Sequence, residues 1–168
     1  MALTQAMLDR KKPATDEVLI ALTTDQRDRL DLARKRVALV SLSSDQNEKD
    51  AAAKELEEAK ADIRKTGISF TLVSIGRERW DALKLAHRPT DEMEKEDADK
   101  PVEERRTVNP DTFWPQLLSE LVQDSKLTAE QWSAKVFKSP SWNSAELEEL
   151  RNRALAVTQD SLVVELGN

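Results

Sequence analysis

The chain has 168 residues and a net charge of −6, with 35% charged residues, one His, three Gly, no Cys and no Tyr. Without Cys there are no disulfides, thiolate zinc sites, iron–sulfur clusters or Cys nucleophiles, and a lone His excludes a His-rich metal centre. The acidic balance argues against nucleic acid as the main partner, because neutralising phosphates needs a basic face, and no apolar run reaches the roughly 20 residues of a membrane span. The first twelve residues lack the apolar run of a signal peptide, so a cytosolic protein is expected. Many charges and few glycines favour long solvated helices over a sandwich or barrel, which would need many tight turns.

Two β-like runs stand out, Glu17 to Leu22 and Ile68 to Ile75. Val18, Ile20 and Leu22 fall on one face by period two, as do Ile68, Phe70 and Leu72, and the runs are expected to pair. Between them, Leu30, Ala33, Val37 and Val40 recur at helical spacing, and after Ser41 to Ser44 so do Ala52, Leu56, Ala59 and Ile63. The pattern predicts an antiparallel helical hairpin. Thr23 with Gln26 and Ser43 with Gln46 have capping-box spacing, and Gly67 stands where the returning helix should stop. Two strands alone are marginal and must lean on a helix. Gly76 to Leu85 supplies one, with Trp80, Leu83 and His87 on one face, and Arg88 before Pro89 ends it near His87.

From Asp91 to Thr107 eight carboxylates surround only Met93, Ala98 and Val102 as apolar residues, which predicts a solvated acidic linker and lacks the Gly-centred spacing of a calcium loop. Beyond it, Asn109-Pro110 turns the chain. Pro115 belongs in a first turn, so the next helix is expected near Thr112, showing Phe113, Leu117, Leu118, Leu121 and Val122 on one side. Thr128 with Gln131 forms a capping box leading to Trp132, Val136 and Phe137. Asn143 with Glu146 caps a last helix carrying Leu147, Leu150, Ala154 and Val157. The expected fold is therefore mainly α with a small two-stranded antiparallel β element: a helical-hairpin unit over 1–90, a flexible linker over 91–107 and a three-helix unit over 108–168.

The three glycines are too far apart for a dinucleotide or P-loop motif. His87 would be a general base only with a nucleophile or second titratable partner. At the end of a helix its expected role is to complement the dipole. Carboxylates on solvated faces lack the burial that separates the pKa values of a catalytic pair, so neither enzyme, metal nor cofactor is expected. The clusters Arg10-Lys11-Lys12, Arg34-Lys35-Arg36 and Arg77/Arg79 read as solvated faces rather than a phosphate track. Apolar helical faces point instead to contact with other helices. The surface expected to make it is Phe113, Trp114, Leu117, Leu118 and Leu121 with Trp132 and Trp142, although a unit this small also needs its aromatics for its own core.

The order of segments carries a resemblance. A strand, a charged helical pair, SFTLVSIGRERWDALKLAHRPT, an acidic spacer, VNPDTFWPQLL, KLTAEQW and ELEELRNRALAVT together resemble the tail assembly chaperones of long-tailed bacteriophages, particularly those of actinobacteria. The similarity runs from about Glu17 to Thr158. It rests on Phe70 and Leu72, on Gly76-Arg77, Trp80, Leu83 and His87 with Pro89, on Asn109, Phe113 and Pro115, and on Leu127-Thr128, Trp132, Leu150, Ala154 and Val157. Arg88 stands where a second Pro is common, and Thr158 where Asn is usual.

The resemblance implies a non-enzymatic protein that acts in the cytoplasm of the infected host cell and is absent from the mature virion. Such chaperones coat the long helical tape measure protein and keep its apolar stripes soluble until tail tube subunits polymerise around it. A longer form, made by programmed frameshifting, recruits those subunits. This chain looks like the short form, and Gly167-Asn168 is compatible with a slippery run in the gene. Self-association is open to such a protein. The competing readings are another virion assembly component, such as a head completion or tail-joining protein, a general helical adaptor, and an acid–base enzyme using Asp or Glu, which would need a buried carboxylate with a strongly shifted pKa.

Overall fold

A computed structural model describes residues 12–159. The elements are β1 (Thr15–Ile20), α1 (Thr24–Val40), α2 (Gln46–Thr66), β2 (Ile68–Val73), α3 (Arg77–Ala86), α4 (Asp91–Glu96), a 3-10 turn at Val102–Glu104, α5 (Pro110–Leu121), α6 (Ala129–Trp132) running into a π-helical turn at Ser133–Phe137, and α7 (Ser144–Gln159). The two strands form one antiparallel sheet, and the chain is mainly α, as its composition predicts. The described residues divide into two compact units, Glu17–Phe70 and those before and after it. Residues 1–11, most of the Arg10-Lys11-Lys12 cluster and the Gly167-Asn168 ending lie outside the described residues.

In the first unit α1 and α2 form the expected hairpin. Leu30 and Ala33 of α1 meet Ala59 and Ile63 of α2 in a buried cluster, with Leu19, Ala21 and Leu56 packed against it. Small side chains at Ala33, Ala52 and Ala59 let the helices approach closely, while Val37 and Val40 stay half-buried toward the tip. Polar links fix the antiparallel register: Gln26 Nε2 donates to Thr66 Oγ1 at 2.5 Å, and Arg36 pairs with Glu55. Arg64 grips Glu17 through two hydrogen bonds of 2.7 Å, which hold the Glu17 carboxyl below its usual range. At Gly67 the backbone is extended, and a Cβ would lie 2.6 Å from the Ile20 carbonyl oxygen, so the residue there must be Gly.

Both helices of the hairpin are capped, with two shifts from expectation. Thr23 caps α1 by accepting from Gln26 N, and Gln26 returns a bond to Leu22 N in place of the cap residue. The cap of α2 is Asp45, which accepts from Asn47 N. Ser43, expected there, instead accepts from Asp45 N and so shapes the loop.

The second unit is built on α5. Phe113, Leu117, Leu118 and Leu121 are all buried, and Val122 beyond them bridges to Leu72 of β2 while Gln123 N donates to Thr71 O. Against this face pack α3, the α6–π segment and α7. Trp80 meets Phe113 edge-to-face with centroids 5.4 Å apart, Arg79 holds Glu120 through hydrogen bonds of 2.7 and 2.5 Å, and α7 contributes Leu150, Ala154 and Val157. The expected capping boxes at Thr128/Gln131 and Asn143/Glu146 are both formed.

Three expectations need correction here. The domain boundaries shift, because α3 and the acidic segment belong with the C-terminal helices: Trp80 and His87 stack on Phe113, and Asn109 N donates to the His87 carbonyl at 2.7 Å. Residues 91–107, expected as a flexible spacer, contain α4 and the 3-10 turn closed around a buried carboxylate, Asp97. And α5 starts at Pro110 on an Asn109 cap, so Pro115 sits inside the helix; its missing N–H frees the carbonyl of Asp111, an exposed residue that water can serve.

Candidate functional site

The surface expected to meet a partner is mostly interior. Phe113, Leu117, Leu118, Leu121 and Trp132 are buried in the core of their own unit, so the apolar face of α5 is a packing face and not an exposed contact surface. Trp114 and Trp142 are half-buried. Trp114 stacks edge-on against Phe113 at 5.2 Å, and the Arg151 guanidinium lies over its ring at 5.7 Å and over Phe137 at 5.5 Å. Arg151 is thus a cation held between two rings, with its Nε buried. The same apolarity that suggested a contact surface is what a unit of this size consumes in its own interior.

His87 caps the C-terminus of α3. Its Nδ1 lies 3.0 Å from Thr112 Oγ1, and its ring packs edge-on to Phe113. An open groove of about 500 Å³ runs beside it, lined by His87, Thr112, Pro115, Ala129, Ser133 and Lys138. The hydroxyl and the aromatic ring hold the imidazole between α3 and α5. Glu130 on the same groove is held below the usual carboxylate range by its hydrogen bond to Thr128 at the start of α6. Among the described residues, no cluster of His, Asp or Glu is arranged to hold a metal, and no helix is long and apolar enough to cross a membrane.

Exposed apolar side chains occur in both units, at Leu85 and Val102 as well as at Leu22 and Ile68, and three more lie along the hairpin. Leu32 is 70% exposed, Leu39 79% and Leu42 94%, all on α1 or just beyond it. Leu32 and Leu39 are seven residues apart and therefore share one side of α1, turned away from buried Leu30. Scattered exposed leucines are ordinary, but Leu32 and Leu39 recur on one side of α1 and Leu42 follows at its tip, which leaves apolar side chains open to another helix. Their heptad spacing was a usable sequence signal, masked by the stronger inward periodicity of Leu30, Ala33 and Val37.

Asp97 also escaped sequence reasoning. It accepts from Lys100 Nζ at 2.7 Å, Arg106 Nε at 2.7 Å and Arg106 N at 3.0 Å, and the Arg106 and Lys100 bonds hold its carboxyl well below the usual carboxylate range. Its role is architectural, closing residues 91–107 into a compact loop. No protein-family model, no curated protein and no solved structure matches this chain.

Proposed function

We propose that the chain is a non-catalytic assembly chaperone of a long-tailed phage, binding the helical tape measure protein and keeping it soluble until tail tube subunits enclose it. The observation that carries the reading is the exposed Leu39–Leu42 end of the hairpin, where two leucines stand in water at the end of a highly charged helical pair. A tip of that kind shields a client helix by many weak contacts, which suits a chaperone that must later let go. The order of the segments from Glu17 to Thr158 supports the same reading through its resemblance to tail assembly chaperones. On this reading Trp80, Leu83, His87, Phe113 and Leu150 are the residues that hold the fold together, and the client meets the hairpin. The protein acts in the host cytoplasm, and recruitment of tube subunits belongs to a longer frameshifted form.

The test is its distribution in an infection. Quantitative mass spectrometry of infected-cell lysate and of purified virions should find the chain abundant in the first and absent from the second. Stoichiometric presence in virions would reject the chaperone reading and favour a head completion or tail-joining component.

A further inference from the structure

One side of the helical hairpin carries an open groove of about 520 Å³, lined by Arg29, Leu32, Ala33 and Arg36 from α1 and by Glu55 and Glu58 from α2. One wall is therefore basic and the other acidic, with the exposed Leu32 on the basic wall. Arg36 is paired with Glu55 across the groove, whereas Arg29 and Glu58 make no ion pair among the described residues. A face with a cationic edge, an anionic edge and an apolar residue beside them is complementary to itself.

The placement of charge selects the geometry. A twofold axis parallel to the helices brings α1 of one copy against α2 of the other, basic wall to acidic wall; an axis across the helices would set α1 against α1 and oppose arginines. The 17 residues of α1 make the face about 25 Å long, and two adjacent helices make it about 20 Å wide, so the pair buries on the order of 1,000 Å² in total, the lower end of specific interfaces. We propose that two copies of this chain pair through this side of the hairpin, α1 against α2 of the partner copy, in a weak and salt-sensitive dimer. The inference rests on the groove and not on the proposed client, whose contact is the Leu39–Leu42 tip.

Sedimentation velocity of the full chain over a micromolar concentration series tests it. The expected result is a monomer–dimer equilibrium that shifts toward monomer at high salt and is weakened by roughly tenfold or more in Leu32→Glu, with an unchanged circular dichroism spectrum because Leu32 is exposed. Arg29→Glu should weaken pairing, as should Glu58→Arg, and mixing these two variants should restore a dimer, since each reversed wall then meets its complement. A chain that stays monomeric throughout the series overturns the proposal. So does a dimer indifferent to Leu32→Glu, or a pair of reversed variants that fails to recombine while both remain folded.

Discussion

The Arg106 guanidinium closes on the Asp97 carboxylate with Nε 2.7 Å from one oxygen and Nη2 3.0 Å from the other, and the Arg106 backbone N–H adds a third bond at 3.0 Å. A segment of the chain composed mostly of charged residues is folded by this pair. Arg106 also donates to Glu96 and to the carbonyl of Met93, so one side chain fastens both α4 and the turn after it.

The pair sets a pH dependence. Asp97 titrates below its unfolded value of about 3.9, so its contribution to stability is fully present above about pH 5 and is lost as pH falls toward the lowered folded value. Thermal melts of the wild type should show Tm falling between about pH 5 and pH 3. Asp97→Asn should melt lower than the wild type at neutral pH and lose less on acidification. Equal acid sensitivity in the two proteins would show that the pair does not stabilise the fold.

Gly67 carries the turn from α2 into β2. Gly67→Ala would bring a Cβ to 2.6 Å from the Ile20 carbonyl oxygen and 2.9 Å from that of Ile63, both backbone atoms with little room to yield. A loss of about 1–3 kcal/mol is expected, read from denaturant unfolding. A neutral substitution would mean that the hairpin and the strand do not meet there as described.

Leucines on the two sides of the core boundary should behave oppositely. Leu118 is buried, and Leu118→Ala should cost about 2–5 kcal/mol, with Leu118→Asp failing to fold. Leu39→Ser and Leu42→Ser should leave stability within about 0.5 kcal/mol of wild type, since both side chains are already in water. Under the proposed function these two substitutions lower client solubilisation instead.

Arg151 links α7 to the rings of Trp114 and Phe137. Arg151→Ala removes two cation–π contacts and the packing of the side-chain stem, at about 1–2 kcal/mol, and should change the intrinsic tryptophan fluorescence by admitting water beside Trp114. Unaltered emission and stability would argue against the stack.

Much of this architecture is legible in the sequence because it rests on local signals. The inward periodicity of Leu30, Ala33, Ala59 and Ile63 gives the hairpin, alternation about Val18 and Leu72 gives the strands, and side-chain spacing gives the caps at Thr23, Thr128 and Asn143. What escapes depends on tertiary partners. Asp97 looks like any other carboxylate in an acidic run until Arg106, nine residues on, is seen to bury it. The face holding Phe113, Leu117 and Leu118 is apolar whether it meets a client or its own unit, and only the packing of α3 and α7 decides between them. Pro115 argues for a first turn, yet the surrounding apolar contacts outweigh the one hydrogen bond it removes.

The central claim is most directly tested by co-expressing the chain with the tape measure protein of the same phage and measuring the fraction of that client in the soluble lysate. The account predicts that the tape measure protein is soluble and co-purifies with the chain, and that Leu39→Ser with Leu42→Ser returns it to the pellet while the chain itself stays folded. A tape measure protein that remains insoluble beside abundant, folded chain would contradict it.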